Sequence, residues 1–420
     1  MEYAPLNLKK EKVLWIVLIL SIFLLNETPR MLLIYKLSNN QSNIWYINFL
    51  FIMSVTLLFI YYMKREKINL KTIFLIIIIM GLLFANSLFG NINTNSFLLF
   101  FITNAFPLML IAYELDSINT ITEIFLKIFN FIIILLTIYG IIDYLTKGAL
   151  QLFIADNLAY GELQLLINSE HGYIYRMYSF FGHPLHNAEL YIIFYTTNKV
   201  YNRFHKNYYN DYILLIITSI GLILSGSKTA LVIGCFLFIF CSGIKKHKFL
   251  YLIFFMITIS ILFSSSIFKN NLLERFQIGI ETNDISSGRN DVLKEVIRLG
   301  IKPNWITSAG AGNSRNITVN AMTGAENFEY PPIMLAYDYG IIETGLIYAL
   351  IFIYPLITFF RNRHWFILFN YLGLFIYANS NNGLANLGTD SMAILCFIIM
   401  LFINLSNQQK LSLHMQNKGV

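Results

Sequence analysis

The chain has 420 residues, 56% of them hydrophobic and only 13% charged, with a mean hydropathy of +0.60 and as many as 37 Phe and 26 Tyr. A soluble fold is excluded at that composition, which belongs to a polytopic membrane protein. The net charge of +7 needs no nucleic-acid partner once it is read as charge on cytoplasmic loops.

A hydrocarbon core about 30 Å thick takes roughly 20 apolar residues of helix. Continuous runs such as Ile73 to Leu83 lack the alternation of a barrel strand. In chain order the apolar runs predict spans near 12–33, 43–62, 72–89, 97–113, 122–145, 185–201, 211–225, 228–243, 249–268, 333–360, 364–380 and 390–406. The fold class expected is therefore an all-α bundle of about twelve transmembrane helices. Asn26, Glu27, Thr28, Pro29 and Arg30 interrupt the first run, and two short runs meet at Ser225 to Lys228. The chain divides into a membrane domain over 1–268, a hydrophilic loop over 269–332, three more helices over 333–406 and a tail over 407–420.

Basic residues alternate with these spans. Lys9, Lys10 and Lys12; Lys64, Arg65, Lys67 and Lys71; Lys199, Arg203 and Lys206; Lys245, Lys246 and Lys248; and Arg361 and Arg363 all fall on loops of one parity. The short loops of the other parity hold almost none. This pattern puts both termini in the cytoplasm and 269–332 outside. No small-residue cleavage site suggests a removable signal peptide. Cys235, Cys241 and Cys396 lie within predicted spans and make neither a disulfide framework nor a zinc pattern. No internal repeat of the kind many transporters carry is visible.

Two outer loops are rich enough for chemistry. The first, about 146–184, ends in a run from Arg176 to His186 in which aromatics flank Arg176, His183 and His186. These groups suit a lipid-linked or sugar substrate, or an interfacial belt. The second carries an amphipathic helix over about 287–300, with Ser287 as N-cap, Val292, Leu293, Val296 and Ile297 as its apolar face and Gly300 as its stop. Arg289 sits in its first turn, where a cation beside free backbone N–H groups makes an anion site; a solvated arginine is the plainer alternative. Ser308 to Arg315 contains Gly310 and Gly312, which can form an anion-binding nest or an ordinary loop. Lys228, at the meeting of two spans, is either functional or snorkelling to the interface.

Taken in order, Ser225 to Ala230, Ser287 to Arg289, Gly310 to Gly312 and the run from Tyr337 to Gly345, with Gly182-His183-Pro184 before a helix, resemble the bacterial O-antigen polymerase and O-antigen ligase family, which includes capsule and exopolysaccharide polymerases. The layout of most of the chain fits, with local motifs from about 176 to 350. Lys228 stands where that family has arginine, which keeps the charge and loses the bidentate fork. Glu329 stands where ligases have a catalytic histidine.

The resemblance implies a metal-independent, inverting glycosyltransferase on the outer face of a bacterial cytoplasmic membrane, with no cofactor. Its substrate would be a polyprenyl-pyrophosphate-linked oligosaccharide, its surroundings membrane lipid, and a chain-length regulator a possible partner. Glu329 is the expected base and Glu326 the reserve. Lys228, Arg289, Arg176, Arg315 and His183 are the expected pyrophosphate and glycan ligands. Ligase-type transfer to another acceptor, a flippase or solute carrier, and a non-catalytic scaffold are the rival readings. A transporter would be expected to show broken helices and charged residues at mid-span.

Overall fold

A computed structural model describes residues 4–37, 47–89, 94–158, 162–170, 175–205, 207–242, 248–266, 268–281, 288–306, 308–321 and 328–417. Glu326, Ser287, Lys206, Lys245 and Lys246 lie outside the described residues. The protein is all-helical, with no strand among the described residues. The helices that matter for the site are α1 (Ala4–Phe23), α2 (Glu27–Leu37), α3 (Phe49–Met63), α4 (Leu70–Phe89), α5 (Thr94–Phe100), α6 (Ile118–Leu145), α7 (Ala149–Asn157) and α8 (Glu162–Glu170). There follow α9 (Pro184–Phe204), α10 (Asp211–Ser225), α11 (Lys228–Phe240), α12 (Lys248–Ser264), α13 (Glu274–Glu281), α14 (Arg289–Arg298) and α15 (Asn313–Asn320). The last are α16 (Pro331–Tyr339), α17 (Ile341–Tyr348), α18 (Tyr354–Arg361), α19 (Trp365–Ala378) and α20 (Ser391–Asn417).

Helices occupy the stretches where spans were expected, but length and apolarity qualify fewer than twelve of them as spans. Among the described residues three helices are long and apolar enough: Ile118–Leu145, Ile341–Arg361 and Ser391–Lys410. A fourth results if Lys9–Phe23 and Glu27–Ile34, bent by 82°, are one broken span, and seven further apolar helices have 10–17 of their described residues in the run. Two of the expected spans are interrupted. The run after α5 widens into a π turn over Phe101–Ala105 and then tightens into a 3-10 turn over Phe106–Ala112. The span expected over 333–360 breaks at Gly340.

Helix α9 is polar, and it is buried nonetheless: every residue from Asn187 to Val200 is inside the protein. Its polar groups are matched internally, as burial demands. Asn198 and Asn130 of α6 exchange amide hydrogen bonds of 2.8 and 2.9 Å. Lys199, expected on a loop, is buried and bonded to Asp211 and to the Ser242 carbonyl.

The helices sort their polar residues to two ends. At one end Glu11 accepts hydrogen bonds from Tyr61, Tyr62 and Ser117. There also the Glu114 N–H donates to the Lys67 carbonyl and Arg203 lies over Phe366. Lys64, Lys67, Lys71, Arg203 and Arg361 therefore share that end. At the other end the first turn of α9, the turn between α10 and α11, and the C-terminal end of α19 come together. Helix α4 runs from Lys71 at the basic end to Asn86 at the far end, roughly 22 Å along its axis.

The loop helix forms as α14, with two corrections. Its N-cap is Gly288, at φ +90°, with no side-chain cap. Val292 and Val296 are its buried stripe, while Ile297 is 59% exposed because it points away from them. Gly300, at φ +73°, ends the helix as expected. Helix α20 runs unbroken to Asn417, so the described part of the expected tail is helical.

Candidate functional site

Gly340 is where the long polar loop enters the bundle. The N–H groups of Ile341 and Ile342, which open α17, donate to the carbonyls of Asn304 and Trp305 at 2.9 and 3.0 Å. A Cβ at Gly340 would lie 3.2 Å from the carbonyls of Trp305 and Ile306, and the residue sits at φ +100°, so glycine alone lets the chains meet. Asn86 fastens the same junction. Its amide donates to the Tyr339 carbonyl and to Glu343 at 3.0 and 2.6 Å, and its oxygen accepts from the Ser308 N–H at 3.2 Å.

With the loop so anchored, Arg289 in the first turn of α14 reaches two other segments. Its Nε donates to Glu329 at 2.5 Å and its Nη1 to the Ser380 carbonyl, just beyond α19, at 2.7 Å. Glu329 adopts a left-handed backbone at φ +52° and its side chain is 43% exposed. The expected anion site at Arg289 is thus filled by the carboxylate expected to act as base.

Tyr377, buried near the end of α19, links this pair to the other expected ligands. Its hydroxyl donates to the Leu185 carbonyl at 2.7 Å and is hydrogen-bonded to Ser227, and the charges of Glu189, Arg176 and Arg289 all reach it. The Met177 N–H donates to the Leu224 carbonyl at 2.9 Å, which sets Arg176 beside the turn that leads to Lys228. That turn is built by Gly226 closing α10 and by Ser227, whose hydroxyl caps α11 at the Ala230 N–H. Arg176 and Arg289, from two distant segments, therefore lie near one tyrosine, which also bonds Ser227 in the turn that leads to Lys228.

His183 is the N-cap of α9: its Nδ1 accepts from the Leu185 N–H at 3.2 Å, and its ring packs edge-on against Tyr178. It shapes the site's floor. Gly182 before it, at φ +101°, presses on the α1–α2 break, where a Cβ would stand 2.4 Å from Thr28 Oγ1.

Arg315 is exposed on α15, whose N-terminus is tied to Asp338. The nest expected around Gly310 and Gly312 is real, but its anion is internal. The Asp338 carboxylate accepts from the backbone N–H groups of Ser314, at 2.6 Å, and of Gly312 and Asn313, while the Gly310 N–H bonds the Asp338 carbonyl at 2.9 Å. Burial pushes the Asp338 carboxyl up to about 7 in spite of those donors.

Further charged and polar groups lie at this end, Asp390 and Glu189 among them. Arg30 and Asp390 form an ion pair of 2.6 Å with side chains only 8% and 6% exposed, and Asn48 adds a donor to Asp390 at 3.3 Å. His186 lies 2.9 Å from the Asn26 amide and 3.6 Å from the buried Glu189. Their signals were present: Arg30 interrupts a predicted span and Glu189 is ionisable within another. Charges within the bundle are thus less scarce than expected. Among the described residues no three His, Cys, Asp or Glu side chains converge as a metal-ligand set. No protein-family model matches the chain, and no curated protein or solved structure is found to be similar to it.

Proposed function

We propose that this protein is a multi-pass membrane glycosyltransferase that polymerises polysaccharide on the outer face of the bacterial cytoplasmic membrane, with about twelve helices crossing the bilayer. The observation that carries this reading is the convergence of Arg176 and Arg289 with the carboxylate of Glu329, beside the turn that leads to Lys228, at the end of the bundle opposite Lys71 and Arg361. The basic residues at that opposite end favour the cytoplasm for it, by the positive-inside rule.

In the reaction, the hydroxyl oxygen of an acceptor lipid-linked repeat unit attacks the anomeric carbon of a donor glycan held on polyprenyl pyrophosphate. The carbon–oxygen bond to the pyrophosphate breaks and its electron pair leaves with the phosphate, inverting the anomeric centre. The acceptor's proton passes to Glu329. The three cations hold the charge that grows on the leaving group, the kind of stabilisation that supplies most of the effect in such transfers. A pyrophosphate entering this site would replace Glu329 on Arg289, which frees the carboxylate to act as base.

The broken helix α1–α2, bent by 82° beside the buried Arg30–Asp390 pair, favours a second reading. Broken helices and buried charges are the marks of a transporter, here of a lipid-linked glycan. Purified protein in liposomes loaded with lipid-linked repeat units separates the two. A ladder of polymer supports the transferase; translocation of single units without elongation overturns it.

A further inference from the structure

A cavity of about 650 Å³ opens at the basic end of the bundle, far from Arg289. Lys71 of α4, Arg361 of α18 and Lys410 of α20 line it against a single carboxylate, Glu114. None of the three cations forms an ion pair among the described residues. Positive loops need only face the cytoplasm to satisfy topology; nothing in that rule makes three cations from helices distant in sequence share one hollow. Leu75 and Leu350 give the lining its apolar part, beside Thr72, Tyr354 and Thr358. Asn362, also lining the cavity, donates to Ser406 and Asn407 at 2.9 Å each, while its buried Oδ1 has no donor among the described residues.

We infer that this cavity binds the headgroup of an anionic phospholipid. Its phosphate ester meets Lys71, Arg361 and Lys410, and its glycerol backbone and upper acyl chain lie on Leu75 and Leu350. Inorganic phosphate shares the ionic chemistry but has nothing to place on Leu75 and Leu350. Cationic hollows between helices at the cytoplasmic surface are suited to such headgroups, and attraction adds up with each cation.

The test uses the full chain purified in detergent, with lipid retention read by native mass spectrometry and thermal unfolding read after addition of phosphatidylglycerol, phosphatidylcholine or inorganic phosphate. Phosphatidylglycerol is expected to remain bound and to raise the unfolding temperature. The Lys71→Ala/Arg361→Ala/Lys410→Ala variant is expected to lose retention on the order of 100-fold. A Lys9→Ala/Lys12→Ala/Lys64→Ala variant, which removes as much charge from the same end, is expected to keep it. Equal loss in both variants would show a diffuse basic face and overturn the site. Equal protection by phosphatidylcholine, or by phosphate alone, would overturn the lipid assignment. Should the triple variant not accumulate, Lys410→Gln alone must reduce retention several-fold, and unchanged retention there overturns the proposal as well.

Discussion

Arg289 and Glu329, 40 residues apart in the chain, meet through a 2.5 Å hydrogen bond from guanidinium Nε to carboxylate. Because Nη1 of the same arginine also holds the Ser380 carbonyl, the pair pins the long polar loop to the end of α19. A cation so placed has a structural duty, and in the proposed reaction it would have an electrostatic one toward pyrophosphate. Replacing Arg289 by Ala is expected to lower polymer synthesis by about 10²–10³-fold, the scale of removing one preorganised donor. Lys228→Ala should fall in the same range, with both proteins still present in the membrane fraction. Polymer of normal yield from both variants would remove the cation clamp.

The same pair separates two roles for Glu329. Glu329→Gln keeps a hydrogen-bond acceptor for Arg289 but removes the proton-accepting carboxylate, so elongation should fall by about 10²–10⁴-fold while substrate binding survives. Glu329→Asp should recover part of the rate. The assay is single-turnover transfer between two lipid-linked repeat units, and chains of ordinary length from Glu329→Gln would exclude this residue as the base.

Much of this site was legible in the sequence at the level of segments. Gly182-His183-Pro184, Ser225 to Lys228 and Arg289 each read as turns or helix starts, and all three meet around Tyr377. What the sequence withheld was pairing. Gly310 and Gly312 look alike whether they cradle a phosphate or a side chain of the same protein, and only the fold brings Asp338 to them. The twelve-span expectation counted apolar residues, so it could not see that α9 is buried in spite of its polarity, nor that Asn26 to Arg30 turn the chain by 82°.

Asp338 yields a stability prediction with a sign. Removing its carboxylate with Asp338→Ala leaves the N–H groups of Gly312, Asn313 and Ser314 without their acceptor, at a cost of about 1–3 kcal/mol. The visible effect should be faster proteolysis within 308–321. Because burial raises this carboxyl from 3.8 to about 7, folding favours its protonated form. The stability it contributes is full below about 4 and is lost as pH rises through about 7. Cleavage in 308–321 should therefore be slower at about pH 5 than at about pH 8 in the natural protein, and Asp338→Asn should abolish that difference. A pH dependence that persists in Asp338→Asn would assign it to another group.

Arg30 and Asp390 sit 360 residues apart, yet they close the broken α1–α2 segment onto the start of α20 at 2.6 Å. Both side chains are more than nine-tenths buried, so an unpaired partner has no water to turn to. Arg30→Met or Asp390→Leu alone is expected to destabilise by about 3–5 kcal/mol, while the double variant should recover most of that loss, since two apolar groups of similar size bury without penalty. A thermal double-mutant cycle in detergent measures the coupling. If the pair serves only to hold the break, the double variant also keeps its full transfer or transport activity. Additive losses from the two single changes would mean that these charges do not depend on each other, and the break would then owe its shape to Thr28 against Gly182 and to the Asn26–His186 contact.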